Sequence, residues 1–443
     1  MSMMKRVFLT FMLLSLTWVT LAQDAFWVFF SDKKDVRFDP YGYFDAKAIA
    51  RRKLHGLPLM DSTDFPVSPA YIGAVARYAD ITGFASRWFN AVEVFAGPRA
   101  RQQIAALPFV QSLRPMQVQM HPASVNYTGL LSSQDEELLE KQIAIMQGQA
   151  FLEAGTDGSG VRIAIFDGGF PRVDKAPVFA HIREQNRIIK TYDFAHNNED
   201  VFGHNSHGTN VLSCVGGITD GKPIGLATGA EFLLAITEVN WEPFSEEKNW
   251  LAAAEWADKH GADIINSSLG YTGHRYYPEE MDGKHSLVAS AATMAAQKGI
   301  LVVNSMGNSG DDKYWKIVGT PADADSVLSV AGVDPMTGYH ISFSSLGPTA
   351  DMRLKPNVTA AGSVIAAHPK RLHHTYGTSF SSPLVAGFAA CVLQLNPQLT
   401  NMDLKKAIEQ SGHLYPYFDY AHGYGIPQAD FFTQEEPGIA DVS

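Results

Sequence analysis

The sequence predicts an α/β fold in which a mostly parallel sheet is flanked by helices. Residues 161–169 form a nearly continuous apolar run that ends in a carboxylate and two glycines, a pattern typical of a buried parallel strand. Residues 300–310 repeat this pattern, and residues 250–270 contain an Ala- and Trp-rich helical stretch followed by another apolar strand. Open sheets of this kind place their sites at the carboxyl ends of the strands. Polar residues that follow these strands are therefore expected to lie together.

Ser379 lies in a tight turn that leads into an apolar helical run from Leu384 to Leu395. The first N–H groups of a helix have no intrahelical partner, so they can face a developing negative charge. A nucleophilic serine needs such a setting, together with a base and an orienting carboxylate. A Ser/Thr-rich start also caps many ordinary helices, so this segment alone leaves both interpretations open.

Asp167 and His207 supply the two missing groups. Asp167 follows the predicted buried strand, and His207 begins a small-residue helix that runs to about Gly216. Each lies beside glycine at the boundary of an element. The chain order Asp, His, Ser is that of subtilisin, and it differs from the orders in chymotrypsin and in α/β-hydrolases.

Three motifs make the chain resemble the subtilases, the subtilisin-like serine endopeptidases. They are Asp167–Gly169 where the family usually has Asp-Ser-Gly, His207–Val211 (His-Gly-Thr-Asn-Val) for His-Gly-Thr-His-Val, and Gly377–Pro383 (Gly-Thr-Ser-Phe-Ser-Ser-Pro) for Gly-Thr-Ser-Met-Ala-Ser-Pro. The departures at Gly168 and Asn210 flank the catalytic positions without replacing them. The similarity spans roughly residues 155–426, and it implies a subtilisin-like sheet preceded by a small α+β propeptide-like domain.

The resemblance also implies a role for each site residue. Ser379 would be the nucleophile, His207 the base, Asp167 the orienting carboxylate and Asn308 an oxyanion donor. Substrate-binding positions would be Ser268, Leu269, Gly270, Gly307 and Gly319. Ser268–Gly270 would form one wall of the S1 pocket and pair with the substrate backbone. Gly319 would leave that pocket open to large apolar side chains.

The N-terminal third predicts a secreted precursor. Residues 1–22 have a basic start, a short apolar stretch and small residues at the end, as in a signal peptide. Residues 23–120 alternate β and α patterns and resemble a propeptide, which would act as an intramolecular inhibitor and chaperone. Residues 121–154 are predicted as a linker with the first helix of the mature enzyme, 155–430 as the catalytic domain and 431–443 as an acidic tail. Self-cleavage is expected between Arg114 and Glu140.

Three functions are compatible with these patterns. The first is a secreted or periplasmic serine endopeptidase that acts on protein or peptide substrates. The second is a catalytically inactive binding protein with the subtilase fold, against which the intact site residues argue. The third is an esterase or lipase of the α/β-hydrolase type. The segment around Ser379 lacks the second glycine that this third class requires, and the triad order differs.

Composition limits the partners. The net charge is −11, with 46 acidic and 35 basic residues, which argues against nucleic-acid binding. We expect a monomer that is not membrane-bound in its mature form. Cys214 and Cys391 fit two buried free thiols better than a disulfide, which stays open.

No cofactor is required by these patterns, and no metal site is expected. His204 and His207 are three residues apart and His373 and His374 are adjacent, but structural zinc needs more ligands. Structural calcium is possible, but the loop at residues 217–222 lacks the oxygen-rich pattern of a strong site.

The resemblance to the subtilases implies that the segment Glu238–Glu247 borders the S2 and S4 subsites. Its carboxylates would favour basic side chains at P2 or P4, while Trp241 and Phe244 offer an apolar wall. The alternative is a solvated charged loop that caps the next helix, with Ser245 as N-cap. We expect this alternative for Glu246 and Glu247 and a subsite role for Glu242.

Overall fold

The computed structural model describes residues 24–79, 81–116, 133–239, 245–273 and 275–434. The predicted signal peptide, the first part of the linker, most of the acidic tail and Glu242 lie outside these residues. Most of the range predicted for self-cleavage lies outside them as well.

The described elements are listed in chain order. The first part of the chain contains β1 (Asp24–Phe30), α1 (Pro40–Tyr43), α2 (Ala46–Leu54), α3 (Pro69–Val75), β2 (Ile81–Ser86), β3 (Ala91–Ala96), α4 (Pro98–Ala105), β4 (Val110–Pro115), α5 (Ser133–Ala144) and α6 (Gln149–Glu153). Next come β5 (Arg162–Asp167), α7 (Ala180–Glu184), β6 (Ile188–Asp193), α8 (His207–Gly216), β7 (Ile218–Thr219), β8 (Lys222–Pro223), β9 (Glu231–Ile236), α9 (Ser245–Lys259), β10 (Ile264–Ser267) and α10 (Leu287–Gln297). The last part contains β11 (Leu301–Ser305), β12 (Leu328–Val333), β13 (Val358–Ala361), β14 (Ser363–His368), β15 (Arg371–Tyr376), α11 (Thr378–Leu395), α12 (Asn401–Gln410) and α13 (Asp430–Thr433).

Two compact units divide the chain. One comprises residues up to 37 together with 62–117, and the other comprises residues 38–61 together with those from 118 onward. The assignment of residues 38–61 to the larger unit has no sign in the sequence. The predicted domain boundaries stay predictions.

The smaller unit is built on a four-stranded antiparallel sheet in the order β2-β3-β1-β4. Its core joins Phe26, Val28 and Phe30 of β1 to Ile104 of α4, all buried. The aromatic and β-branched residues of β1 favour a strand, as predicted. β2 was not predicted, because Ile-Thr-Gly-Phe-Ala-Ser contains a glycine and too few apolar residues to show a clear alternation.

The larger unit contains a seven-stranded parallel sheet in the order β13-β12-β11-β10-β5-β9-β6. β5 lies inside this sheet, and all six of its residues are buried. Helix α11 packs against β10, β11, β12 and β13. The predicted subtilisin-like α/β fold with a mostly parallel sheet is confirmed.

Helix α11 has 18 residues and is long and apolar enough to cross a membrane by length and composition, yet 78% of it is buried inside the protein. It is therefore the core helix of this unit, and its N-terminus lies where the sheet presents the carboxyl ends of its strands.

Within the larger unit, buried charges join residues 38–61 to the rest of that unit. Arg51 and Arg52 of α2 are 4% and 1% exposed, and both contact the carboxylate of Asp258, with Arg52 Nη2 2.7 Å from Oδ2. Burial lowers the pKa of Arg51, while the charge of Asp258 opposes that effect. Asp45 adds a contact of 3.1 Å with Nδ1 of His260. This segment, which we call the anchor segment, is joined to α9 and the residues that follow it.

Candidate active site

Asp167 is the last residue of β5 and is fully buried. Its Oδ1 accepts a hydrogen bond from the Gly168 N–H at 2.7 Å. Its carbonyl oxygen accepts a hydrogen bond from the Thr237 N–H at 2.9 Å, just after the neighbouring strand β9. The carboxylate is thus held rigidly at the carboxyl end of the sheet.

His207 begins α8 and faces Asp167. Its Nδ1 lies 2.9 Å and 3.0 Å from the two carboxylate oxygens, so Nδ1 carries a proton and donates it. The side chain is 29% exposed. Burial lowers the pKa of His207, but the charge of Asp167 and the hydrogen bond to it outweigh that effect, so the pKa is raised overall. In the described part of the chain, Nε2 has no hydrogen-bond partner and is available as a base.

Gly208 allows helix α8 to approach β5 this closely. A Cβ atom at this position would lie 2.4 Å from the carbonyl oxygen of Gly169 and 2.9 Å from Cβ of Asp167. Only glycine avoids that overlap. The glycine after the histidine therefore sets the distance between the carboxylate and the imidazole.

Ser379 lies in the first turn of α11 and is half-buried. Its hydroxyl donates to the carbonyl oxygen of Ser268 at 3.2 Å. The ring of its neighbour Phe380 lies 5.6 Å from the imidazole of His207, centroid to centroid. Ser379 thus lies near the pair formed by Asp167 and His207, at the end of the sheet where Ser268 follows β10.

Pro383 explains a second contact between Ser379 and Ser268. Proline has no N–H, so the carbonyl of Ser379, four residues earlier, loses its usual helical donor. The hydroxyl of Ser268 donates to that carbonyl instead, at 2.8 Å. This pairing, which the sequence alone does not reveal, holds the start of α11 against the segment after β10.

Asn308 is fixed by its side-chain oxygen. Oδ1 accepts hydrogen bonds from the N–H and the hydroxyl of Thr378, each at 2.9 Å. Nδ2 faces Gly377, where it would lie 3.5 Å from an added Cβ. Gly377 has a φ of +146°, which favours glycine. Because Oδ1 is occupied by Thr378, the Nδ2 amide lies beside Gly377, two residues before Ser379, and is available as a donor.

The predicted substrate-binding residues form two facing segments. Ser268–Gly270 continues from β10, and the next residue, Tyr271, pairs with Thr320, which follows Gly319. The Gly319 N–H donates to the carbonyl of Met306 at 3.2 Å, and the Gly307 N–H donates to the Thr378 hydroxyl at 3.3 Å. The structure therefore places all five predicted residues around the start of α11.

A cluster of carboxyl groups lies near Tyr271, the residue that follows Ser268–Gly270. Glu246 and Glu247 are both fully buried in the first turn of α9, where they contact Arg275 at 2.7 Å and 3.3 Å. The expectation that they are solvated is wrong, because Arg275 provides a buried counter-charge that cannot be seen from their local sequence. The helix also begins at Ser245 itself.

Glu238 belongs to the same cluster. It accepts a hydrogen bond from the Tyr271 hydroxyl at 2.7 Å. Burial, and then the neighbouring charge of Glu246, raise the pKa of Glu238 well above its usual value. Burial also raises the pKa of Glu246 to about 7, against its hydrogen bond from Val239 and the charge of Arg275. The half-buried Glu238 and the buried Glu246 thus keep their protons to a higher pH than they would in the unfolded chain.

This cluster predicts stability that falls as pH rises. Both folded pKa values exceed the unfolded ones, so the stabilisation is complete below about pH 4.5 and is lost progressively toward pH 7 and above. Glu238→Gln imitates the protonated form. We expect its Tm to exceed that of the wild type by roughly 5 °C at pH 8 and to match it at pH 5. Thermal unfolding at both pH values measures this. Glu199→Gln, at an exposed position, is the control. If the Tm of the wild type lay below that of Glu238→Gln by the same amount at both pH values, the prediction would be contradicted.

Both cysteines are free and buried, as the sequence favoured. Cys214 lies in α8, where burial raises the pKa of its thiol to about 12. Burial also raises the pKa of Cys391, in α11. Neither thiol is poised as a nucleophile.

Comparison with known proteins gives two family matches. The profile of the Subtilase family, peptidase S8, matches residues 158–425. A profile described as the peptidase S8 propeptide domain of Bacteroidota matches residues 25–134.

Individual relatives agree with these profiles. Subtilisin DY of Bacillus licheniformis is 28% identical over 284 residues, which cover 63% of this chain and 94% of that protein. Serine protease AprX of Bacillus subtilis is 27% identical over 284 residues, covering 57% of this chain and 61% of that protein. Among solved structures, fervidolysin from Fervidobacterium pennivorans, described as a keratinolytic enzyme related to subtilisin, aligns with a TM-score of 0.62 at 18% identity. That alignment covers 94% of this chain and 61% of fervidolysin, and it supports the fold.

Proposed function

Because the chain belongs to the subtilase family of serine peptidases, we propose that it is an active endopeptidase in which Asp167, His207 and Ser379 act as one triad. The observation that carries this proposal is the buried carboxylate of Asp167, which lies within 3.0 Å of His207 Nδ1 through both oxygens. That contact sets the tautomer in which Nε2 can accept a proton. Ser379 lies beside it at the start of a buried helix.

The hydroxyl of Ser379 attacks the carbonyl carbon of the scissile bond while Nε2 of His207 takes its proton. The carboxylate of Asp167 stabilises the imidazolium that forms. His207 then gives the proton to the leaving amine, and water hydrolyses the acyl-enzyme by the same steps in reverse order. The developing oxyanion is held by Nδ2 of Asn308 and the Ser379 N–H.

A fluorophosphonate probe tests this function directly. We expect the probe to label Ser379 in the wild type and not in His207→Ala, and the wild type to cleave a denatured protein. Absence of labelling would instead support the inactive binding protein. Labelling without cleavage of any denatured protein would support an esterase.

The oxyanion role of Asn308 can be separated from its structural role. Asn308→Ala is expected to lower kcat by about 10²–10³ with little change in KM. Asn308→Asp keeps the acceptor for Thr378 but removes the donor, so it should lose at least as much activity while retaining the wild-type Tm. Steady-state kinetics and thermal unfolding measure both. Asn308→Asp activity near that of the wild type would exclude the oxyanion role.

The peptide backbone of the substrate would pair with Ser268–Gly270, and Gly319 would border a pocket that admits large apolar side chains. These assignments rest on the two facing segments around α11. The enzyme would need no cofactor and would act as a monomer.

The propeptide domain supports synthesis as an inhibited precursor, and we propose that the precursor is exported and cleaves itself between Arg114 and Glu140. N-terminal sequencing of the secreted wild type beside Ser379→Ala measures both steps. We expect the wild type to begin within that range and the variant to begin at Gln23. Normal maturation of Ser379→Ala in a host without other proteases would exclude self-cleavage. Retention of residues 1–22 would exclude the signal peptide.

A further inference from the structure

A cluster of two histidines and one aspartate lies beside the catalytic residues, in the segment that leads from β6 to α8. Asp193 ends β6, His196 follows it by three residues, and His204 lies three residues before the catalytic His207. The ligand atoms of Asp193, His196 and His204 all lie within 4.8 Å of one another. We propose that these three residues form a binding site for a divalent transition-metal ion of the zinc class.

The carboxylate of Asp193 is oriented toward both imidazoles. It is fully buried, and its Oδ1 accepts hydrogen bonds from the Ala195 N–H at 2.9 Å and the His196 N–H at 2.8 Å. Oδ2 therefore points outward, 2.8 Å from Nδ1 of His196 and 3.5 Å from Nε2 of His204. Backbone donors that fix one carboxylate oxygen are typical of the outer shell of a metal site.

These distances suit a small tetrahedral ion. Ligand atoms about 2.0–2.1 Å from zinc lie roughly 3.3 Å from each other, a value between the two observed contacts. The two rings stack with centroids 4.5 Å apart, and each histidine side chain is 45% exposed. That exposure leaves room for the rotation that turns both nitrogen lone pairs toward one point. Three protein ligands plus one water complete a four-coordinate site.

The ligand chemistry selects the ion. Imidazole nitrogens suit zinc, nickel, copper and cobalt, whereas calcium and magnesium prefer oxygen ligands. His204 also has a φ of +65°, which is unusual for a residue other than glycine. A strained backbone that aims a side chain at a polar cluster is common at binding sites. His204 and His207 are three residues apart in sequence, but Nδ1 of His207 is engaged by Asp167.

A bound ion would stabilise the catalytic geometry. His204 pairs through its backbone with Gly169, two residues after Asp167. Next to it, Oδ1 of Asn205 accepts the N–H of His207 at 3.0 Å. An ion that ties His204 to the end of β6 therefore braces both the strand that carries the carboxylate and the helix that carries the base.

Binding can be measured on the whole chain, purified as Ser379→Ala so that it stays intact, after treatment with a chelator. We expect one Co²⁺ per chain, with the visible absorption of a four-coordinate ion, and displacement of Co²⁺ by Zn²⁺. His196→Gln and His204→Asn should each weaken Zn²⁺ binding by more than about 100-fold, since loss of even an outer-shell partner costs about 10–100-fold. Zn²⁺ should raise the Tm of the Ser379→Ala chain in which Asp193, His196 and His204 are intact, and Ca²⁺ should not.

The chain provides matched controls in two other Asp-x-x-His pairs. His285 contacts Asp282 at 2.9 Å and His422 contacts Asp419 at 3.0 Å. The variants His285→Gln and His422→Gln should bind Zn²⁺ as tightly as the chain with all its histidines intact. Equal Zn²⁺ binding by all four histidine variants would overturn the proposal.

A second measurement does not depend on variants. Diethyl pyrocarbonate modifies accessible histidines, and mass spectrometry locates the product. Saturating Zn²⁺ should protect His196 and His204 and leave His285 and His422 reactive. Unchanged modification of His196 and His204 would overturn the proposal even if a variant failed to fold.

Discussion

Ser379→Ala is expected to lower kcat by about a million-fold, the size known for the triad serine of subtilisin. His207→Ala should lose a similar factor, because without the base the hydroxyl is a poor nucleophile. The double variant should lose little more, since the triad works as a unit. Cleavage of a chromogenic peptide under single-turnover conditions measures all three.

The pH profile adds a second readout to this prediction. Catalysis needs neutral Nε2 on His207, and the folded pKa of His207 is raised above its ordinary value of 6.5 by Asp167, despite the opposing effect of burial. Activity should therefore rise with pH through a limb that lies above 6.5. Asp167→Asn should lower kcat and move that limb downward. Substantial activity in Ser379→Ala, or additive losses in the double variant, would contradict the triad.

Asp258→Asn is expected to destabilise the precursor by about 3–5 kcal/mol. It removes the negative charge that both buried guanidinium groups, Arg51 and Arg52, contact, and breaking a buried ion pair by removing one partner costs this much. Chemical denaturation of the Ser379→Ala chain, in which the anchor segment stays covalently attached, measures the change.

The control for this effect is an exposed ion pair. Glu140 and Lys222 lie 2.7 Å apart with 63% and 56% of their side chains exposed, so Glu140→Gln should leave the unfolding midpoint unchanged. Adding Arg51→Met and Arg52→Met to Asp258→Asn should restore stability, because the two positive charges that Asp258 contacts are then removed as well. Equal midpoints for Asp258→Asn and Glu140→Gln would show that the anchor segment does not depend on this charge.

The fold was predictable, as was the position of Asp167, His207 and Ser379 at element boundaries, because the patterns that indicate them are local in sequence. Asp167, His207 and Ser379 each stand at the boundary of an element and beside a glycine, where both the pattern and the resemblance point to the same end of the sheet. The alternating β and α patterns of residues 23–120 likewise indicated the small α+β unit.

The remaining features depend on partners that are distant in sequence. Glu246 and Glu247 form an ordinary helix start until Arg275 is placed opposite them. The hydrogen bond from Ser268 to the carbonyl of Ser379 follows from Pro383 only when two strands and a helix have been assembled. Asp193 likewise gains its two histidines only when the segment before α8 folds back on itself.

The resting position of the Ser379 hydroxyl has a consequence for latency. That hydroxyl donates a hydrogen bond to the carbonyl oxygen of Ser268. Ser268 belongs to the segment expected to hold the substrate backbone. In the proposed mechanism, the hydroxyl of Ser379 must turn from Ser268 to His207 before it attacks the substrate. A ligand that engages residues 268–270 competes for the same stretch of main chain and so releases the serine. Inhibitors with a peptide backbone should accordingly inactivate the enzyme faster, relative to their intrinsic chemical reactivity, than small reagents that reach Ser379 without contacting residues 268–270.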